Sequence, residues 1–566
     1  MRKQGDMAIT ALRGRLSVLA ATAGAVALGV APVAGTALSA PSGDADAGGV
    51  QRPASLVVGT ADGKVRGAAR TGYNQWLGIP YAADAAGKNR WKAPQPVKKW
   101  SGARDARAFS DRCAQNSGWD PGYEKTITTE NCLGLNVYVP DGARRDAPVL
   151  VWIHGGGFTG GAGQDTDPRR FIERTGAIVV TVNYRVGVLG TLNLPQLRTE
   201  STNGPGNYGL LDQQAALKWV HRNVDRFGGD PGNVTIAGQS AGAGSVCDHL
   251  ASPAAKGLFS KAISMSGGCN LQSAAAGQQQ SEAFVKAVGC DTAADEVLAC
   301  LRGKSSSDLL AAQKTSGVSP SIGGAAFPVN PGTAVASGDF NRVPVMIGQT
   351  NSERGLFTFQ NYDYAGHPMT AAEYEQLVRT TYGAGADEVL AEYPLSDFDT
   401  PGEAWTKANS DSTSYTRQQL TATFAKRVPT YSYEFAESDT PHFTSIFRIQ
   451  QRSAAARDFP FGGAVHVDDL GYLWEYLGQT LPYDDDQLEL SDEMITYWGR
   501  FAAAGEPNTA RTPNWPDYAD KPGTTMSLKA CDTDPASGDA PAACSKADTD
   551  FATDHNLSFW SHLPTT

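Results

Sequence analysis

The run Asn233–Val246, NVTIAGQSAGAGSV, sets Ser240 between Gly238 and Gly242 at the point where an apolar, β-branched stretch ends. A serine hydroxyl is a weak nucleophile at neutral pH, and it becomes effective when an imidazole takes its proton and a carboxylate fixes the imidazole tautomer. Glycines two positions either side of the serine permit the sharp strand-to-helix turn of the G-x-S-x-G pattern. There the hydroxyl is exposed, and the N–H of the next residue, here Ala241, faces a developing oxyanion. Gly155, Gly156 and Gly157 in VLVWIHGGGF follow an earlier apolar run and leave further N–H groups uncovered, as the second part of an oxyanion site requires. The pattern is short, and in a chain rich in glycine it also arises by chance, so its context has to support it.

The base and acid come from later segments. His466, in FGGAVHVDDLGYLW, sits between glycines and an apolar run, a natural loop position; taken alone it is an ordinary solvated histidine. Glu353 follows RVPVMIGQT in a polar turn, where a carboxylate projects from the carboxyl edge of a sheet. Asp468 and Asp469 compete with it, being close to His466 in sequence, and position alone does not choose between them. The glycines after the earlier run also spell Gly155-x-Gly157-x-x-Gly160, a dinucleotide pattern. The following FTGGAGQDTDP does not open a helix, so no helix N-terminus meets a pyrophosphate and no organic cofactor is expected. No cysteine pair has C-x-x-C spacing and no histidine lies at ligand spacing beside one, so no metal is expected either.

The elements that must carry these residues read as an α/β fold. APVLVWIHGG, GAIVVTVNYR, NVTIAGQS, KAISMSGG and RVPVMIGQT are continuous apolar runs, the signature of strands buried on both faces, with helical stretches between several of them. This predicts a large, mostly parallel central sheet flanked by helices. Leu217, Val220, Val224 and Phe227 recur at helical spacing over 211–227, and Gly228-Gly229 ends the pattern. ASLVVGTADGKVRGAA predicts a hairpin turning at Asp62-Gly63. Ser491 ahead of Met494, Tyr497, Trp498 and Phe501, with Gly505 after them, predicts a capped amphipathic helix beginning near that serine.

Arg2, Lys3, Arg13 and Arg15 precede the apolar run Leu16–Val33, which ends in the small residues Ala37, Ser39 and Ala40; residues 1–40 therefore read as a secretory signal peptide. A Gly/Ala/Asp-rich stretch over 41–53 reads as a disordered mature N-terminus, and 54–566 as one domain. No later segment has the apolar span of a membrane helix. The net charge is −11, and losing a signal with four bases and one acid takes it to −14. The average field of so acidic a protein repels nucleic acid and anionic membrane surfaces, so it is a poor candidate for either, and no nucleic-acid partner is expected. Eight cysteines fit an oxidising compartment: Cys113 and Cys132, Cys290 and Cys300, and Cys531 and Cys544 lie close within each pair, while Cys247 and Cys269 are left over, as a fourth bridge or as buried free thiols. The glycosylation sequons at Asn233 and Asn556 are weak signals, the first falling at a strand start where a sugar does not fit.

From Ala54 to Trp560 the chain resembles the type-B carboxylesterase and cholinesterase-like family of α/β-hydrolases. ENCLGLNVYVP is similar to the family's disulfide-and-strand signature, IHGGGF to its oxyanion loop, and GNYGLLDQQAALKWVHRNVDRFGGDPGNVTIAGQSAGAGSV to its elbow region. IGQTNSERGLF resembles its acid loop, GGAVHVDDLGYL its histidine loop, and MITYWGRFAAAGEPN its C-terminal helix. The resemblance implies an α/β-hydrolase fold with a small N-terminal antiparallel sheet. It implies Ser240 as nucleophile, Glu353 as acid and His466 as base, with Gly156, Gly157 and Ala241 as oxyanion donors, Ser266 of SMSGG in support, and bridges Cys113–Cys132 and Cys290–Cys300. Gln239 departs from the family, many members of which carry glutamate there, so the glutamate's role does not transfer. Trp119-Asp120-Pro121 resembles the choline-binding tryptophan region of cholinesterases, but its distance to Cys132 differs, which speaks against cationic substrates.

The expectation is a secreted serine carboxylesterase working through an acyl-enzyme. Between Cys113 and Cys132 the large apolar side chains Trp119, Tyr123 and Ile127 are scattered among charges and threonines, unlike a lid that opens onto lipid, so soluble short-chain or aromatic esters are expected. A lipase for longer chains, acyl transfer to an alcohol and a non-catalytic binding protein are the alternatives; the last typically lacks part of the triad.

Overall fold

The computed structural model describes residues 56–116, 126–200, 204–313, 319–443, 460–531 and 544–563. The signal segment, the mature N-terminus and Trp119 and Tyr123 lie outside the described residues. The chain opens with short strands β1 (Val57–Gly59), β2 (Lys64–Arg66), β3 (Ala68–Arg70), β4 (Tyr73–Pro80) and β5 (Ala103–Asp105). The long central runs form β6 (Gly134–Pro140), β7 (Ala147–Ile153), β9 (Ile178–Val182), β10 (Gly229–Gln239), β11 (Lys261–Met265) and β12 (Val345–Thr350). The two-residue β8 (Thr166–Asp167) and β14 (Glu475–Tyr476) pair with each other, and β13 (Thr430–Phe435), β15 (Thr525–Leu528) and β16 (Lys546–Asp548) complete the set.

Eleven strands make one sheet in the order β16-β15-β13-β12-β11-β10-β7-β9-β6-β4-β3. From β9 to β15 every pairing is parallel, and antiparallel strands close both margins. The expected hairpin pairs Val58 with Val65, and β5 joins it alongside β2 as a small separate sheet. Core residues pack on both faces of the large sheet, which is why its central strands carry unbroken apolar runs. The chain passes from β7 to β9 on one side and returns to β10 on the other, so the carboxyl ends of β7 and β10 flank a topological switch point, where α/β sheets place their sites.

The helix expected over 211–227 runs Tyr208–Asn223 and continues as a 3₁₀ turn to Phe227, with Gly228 at φ 93° ending it. The C-terminal helix corrects its expected start. It begins at Asp485, capped by Asp484, whose carboxylate accepts from the Gln487 N–H while the Gln487 side chain reaches back. That reciprocal capping box satisfies two orphan donors at once. Ser491 therefore lies inside the helix, where its hydroxyl donates to the Tyr472 carbonyl at 2.5 Å. Gly505, at φ 79°, terminates the helix as expected.

Four disulfides are present: Cys113–Cys132, Cys247–Cys269, Cys290–Cys300 and Cys531–Cys544. The open question about Cys247 and Cys269 resolves as a bridge from the helix after Ser240 to the segment after β11. Asn233 lies in β10 and donates to the Ala503 carbonyl at 3.1 Å, which occupies the nitrogen a sugar needs.

A buried ionic knot ties the C-terminal segment to the sheet. His555 Nδ1 meets Asp411 at 2.8 Å and Nε2 meets Glu434 of β13 at 2.5 Å. Asp411 also accepts from Tyr393 at 2.9 Å and from Lys407 at 2.7 Å. Burial works against a charged imidazole, but Glu434 and Asp411 outweigh it and hold the His555 pKa up at about 9. A pKa raised in the folded state contributes stability that is full below the unfolded value and is lost as pH rises through the folded one. Thermal stability should therefore decline between about pH 6.5 and 9.5, by something on the order of 2–3 kcal/mol. His555→Gln should melt lower at neutral pH and lack this decline, as calorimetry across that range would record.

Candidate active site

Ser240 directly follows β10 and caps the helix Ala241–Ala251, with φ 57° and ψ −123°. A non-glycine residue at positive φ is strained and persists only where its surroundings impose it. Those surroundings are bare backbone. A Cβ on Gly238 would stand 2.5 Å from the carbonyl carbon of Gly242, and one on Gly242 would stand 2.1 Å from the Ile153 carbonyl oxygen. The two glycines are thus what allow β7, β10 and the helix to close on one another, and the Ser240 N–H is pinned to the Met265 carbonyl at 2.9 Å.

Three chain segments converge on the serine. His466 Nε2 lies 2.8 Å from Ser240 Oγ, and His466 Nδ1 lies 2.6 Å from Glu353 Oε1. The carboxylate accepts at Nδ1, so Nδ1 carries the proton and Nε2 is left to accept from the serine hydroxyl. Glu353 Oε2 accepts three more bonds: the Ser266 hydroxyl at 2.9 Å, the Thr350 hydroxyl at 2.8 Å and the Thr350 N–H at 3.2 Å. Burial pushes this carboxyl up, but the neighbouring His466, the Arg417 guanidinium and the Thr350 bond together hold it below the usual carboxylate range. It is therefore an ionised, fully oriented acceptor.

The competing aspartates sit elsewhere. Asp469 is buried, desolvation reinforced by the Glu353 charge raises its pKa well above the usual value, and it accepts from Tyr433 at 3.1 Å. Asp468 turns back on its own loop to accept from the Val465 N–H at 2.6 Å and faces His442 at 3.0 Å. Neither aspartate reaches the His466 ring by a hydrogen bond, while Glu353 does.

The glycine loop after β7 meets the serine from the other side. Gly156 and Gly157 have φ of 108° and 58°, and among the described residues neither donates its N–H to another group. Ala241 N–H belongs to the first turn of its helix, where no intrahelical acceptor exists. No helix opens after Gly155-x-Gly157-x-x-Gly160; the loop passes into a 3₁₀ turn at Gly163–Asp165. Gln115, two residues beyond Cys113, braces this loop. Its side chain accepts from Gly161 N–H at 2.9 Å and donates to the Gly161 carbonyl at 3.1 Å, and its backbone exchanges two 2.9 Å bonds with Ile127.

Several residues at the site went unnoticed in the sequence. Thr350 stands three residues before Glu353, the T-x-x-E spacing of a capping box, and so was legible. Asn351 accepts from Ala464 N–H at 2.8 Å and ties the acid loop to the histidine loop. The Phe357 ring lies 4.8 Å from the His466 ring, centroid to centroid, with the Arg354 guanidinium 4.8 Å from the Phe357 centroid. Arg417, on the helix Pro401–Ala425, donates to the Gly267 carbonyl, and no local signal marks it.

A mostly parallel sheet with a serine elbow, a later acid and a last histidine at its carboxyl edge defines an α/β-hydrolase. The family model described as carboxylesterase family matches residues 54–547, and the chain belongs to that family. It is 32% identical over 492 residues to the para-nitrobenzyl esterase of Bacillus subtilis (strain 168), covering 83% of this chain and 94% of that one. It is 31% identical to the acetylcholinesterase of Bungarus fasciatus, over 82% of each chain. Among solved structures, a PNB esterase superposes with a TM-score of 0.68 at 30% identity, over 84% of this chain and 96% of its own.

The four bonds to Glu353 decide what an amide there would do. In Glu353→Gln the three donors at Oε2 claim the amide oxygen, so the NH₂ must face Nδ1 and drive the proton to Nε2, the atom that has to be free. Ester hydrolysis should fall about 10³–10⁴-fold in this variant with folding retained. Asp469→Asn should keep most of the activity. The opposite ranking in steady-state assays would assign the acid to the histidine loop.

Proposed function

We propose that the protein is a secreted serine carboxylesterase that hydrolyses soluble esters through an acyl-enzyme. The observation that carries the reading is the hydrogen-bonded line from Ser240 through His466 to Glu353. Ser240 Oγ attacks the ester carbonyl carbon as its proton passes to His466 Nε2, and Glu353 holds the resulting imidazolium. The N–H groups of Gly156, Gly157 and Ala241 receive the oxyanion, and Ser266 keeps Glu353 in place. Collapse expels the alcohol, which takes the proton from His466; water then repeats the sequence and frees the acid. The hydrogen-bonded line of serine, histidine and carboxylate supports this reading over a non-catalytic binding role.

Export is supported by the N-terminal segment and the four disulfides. Soluble short-chain or aromatic esters are supported by the mixed polarity between Cys113 and Cys132 and by the likeness to a para-nitrobenzyl esterase.

Ser240→Ala should remain folded and lose about 10⁴-fold or more in ester hydrolysis, since the covalent route goes while the oxyanion donors stay. Near-normal turnover by that variant would end the proposal. Across a panel of acyl lengths, activity should be highest on dissolved short or aromatic esters and show no jump above the solubility limit. Strong activation on long-chain triglyceride emulsions would make the enzyme a lipase and leave the triad in place.

A further inference from the structure

Gln239 stands immediately before Ser240 at the end of β10 and is 3% exposed. Its side-chain Nε2 donates to the backbone carbonyl of His466. A carbonyl only accepts, so the partner facing it must carry a proton. Other ties of the histidine loop run to the acid side, where Ser352 N–H donates to the Ala464 carbonyl at 2.8 Å, Ala464 N–H to Asn351 at 2.8 Å, and the imidazole reaches Glu353, or through Asp468 and Asp469 to His442 and Tyr433. Apart from Ser240 itself, Gln239 is, among the described residues, the hydrogen-bond link from the nucleophile's strand to the base's backbone. The opposite wall is a glycine: a Cβ on Gly155 would lie 2.9 Å from the Gln239 backbone oxygen and 3.2 Å from its Oε1, so a side chain there would crowd the amide.

We propose that Gln239 is a positioning residue whose neutral amide fixes the backbone of His466 against Ser240. The proposal rests on the serine esterase reading and adds to it. The resemblance drawn from sequence sets a glutamate at this place in many relatives. In this geometry an ionised carboxylate would oppose one acceptor with another, and only its protonated form could donate. An amide holds the same bond at every working pH.

Titratable groups on the surrounding elements are His154 at the end of β7, Glu353 and Arg417 on the acid side, and Asp468 and Asp469 on the histidine loop. Asp248 and His249 lie two turns along the helix after Ser240. Burial and the ionised Glu353 would favour the protonated form of a carboxyl introduced at 239, and Arg417 would oppose them.

The test compares Gln239→Met, which keeps length but has no donor, with Gln239→Glu, using a dissolved p-nitrophenyl ester from acid to alkaline pH. Gln239→Met should lose about ten- to hundredfold in kcat at every pH while KM stays within about twofold, since the base is displaced and binding is not. Gln239→Glu should approach the parent at the acid end and fall by a similar factor as its carboxyl ionises, which adds a descending limb the parent lacks. Parent-like kcat in both variants, or an equal loss in both with an unchanged pH profile, would overturn the proposal. So would failure of both to fold, because the amide would then support the fold and not the base. Labelling of Ser240 in the parent by a fluorophosphonate separates the two readings: an unlabelled parent removes the serine esterase, and a labelled parent with indifferent variants removes Gln239 alone.

Discussion

The structure depends on one contact between backbones: the approach of the helix after Ser240 to the end of β7, where the Ile153 carbonyl occupies the space a Cβ on Gly242 would need. From it follows the positive φ of Ser240, and with that the projection of its hydroxyl clear of the sheet. It also brings the glycine loop against the start of the helix, where a Cβ on Gly155 would lie 3.2 Å from the Ser240 Cβ. No side chain makes this arrangement. That is why it tolerates no methyl group at its centre, and why its strain is held by the parallel pairings on both sides of β10.

Charge is managed around that frame by unequal environments. Glu353 and Asp469 are both buried carboxyls near the same histidine loop, yet the pKa of one is held down by four hydrogen bonds, that of His466 among them, and a guanidinium, while that of the other is pushed up by burial beside a phenol. Their pKa values are pushed in opposite directions, a contrast that distance along the chain does not show.

Legibility from sequence followed the range of the interaction. The elbow, the glycine loop and the parallel strands are written locally, in glycines and apolar runs, and they match the observed β7, β10 and β11 closely. The start of the C-terminal helix was misplaced because two capping signals compete there, and the Asp484–Gln487 box outranks Ser491, whose hydroxyl finds a tertiary acceptor at Tyr472. The choice between Glu353 and the aspartates needed the resemblance, since nothing in spacing says which carboxyl a distant loop will face. Arg417 was invisible for the same reason: it sits in mid-helix, and its effect on Glu353 exists only once β11, β12 and that helix are packed.

The brace of Gln115 on Gly161 gives the Cys113–Cys132 bridge a meaning beyond chain entropy. One end of the bridged segment holds the glycine loop, and the Gln115–Ile127 pairing closes the segment just inside the bridge. The covalent link is thus mechanical backing for a site made of unsupported peptide groups. The bridge and the glycine loop are coupled through two residues of backbone, from Cys113 to Gln115.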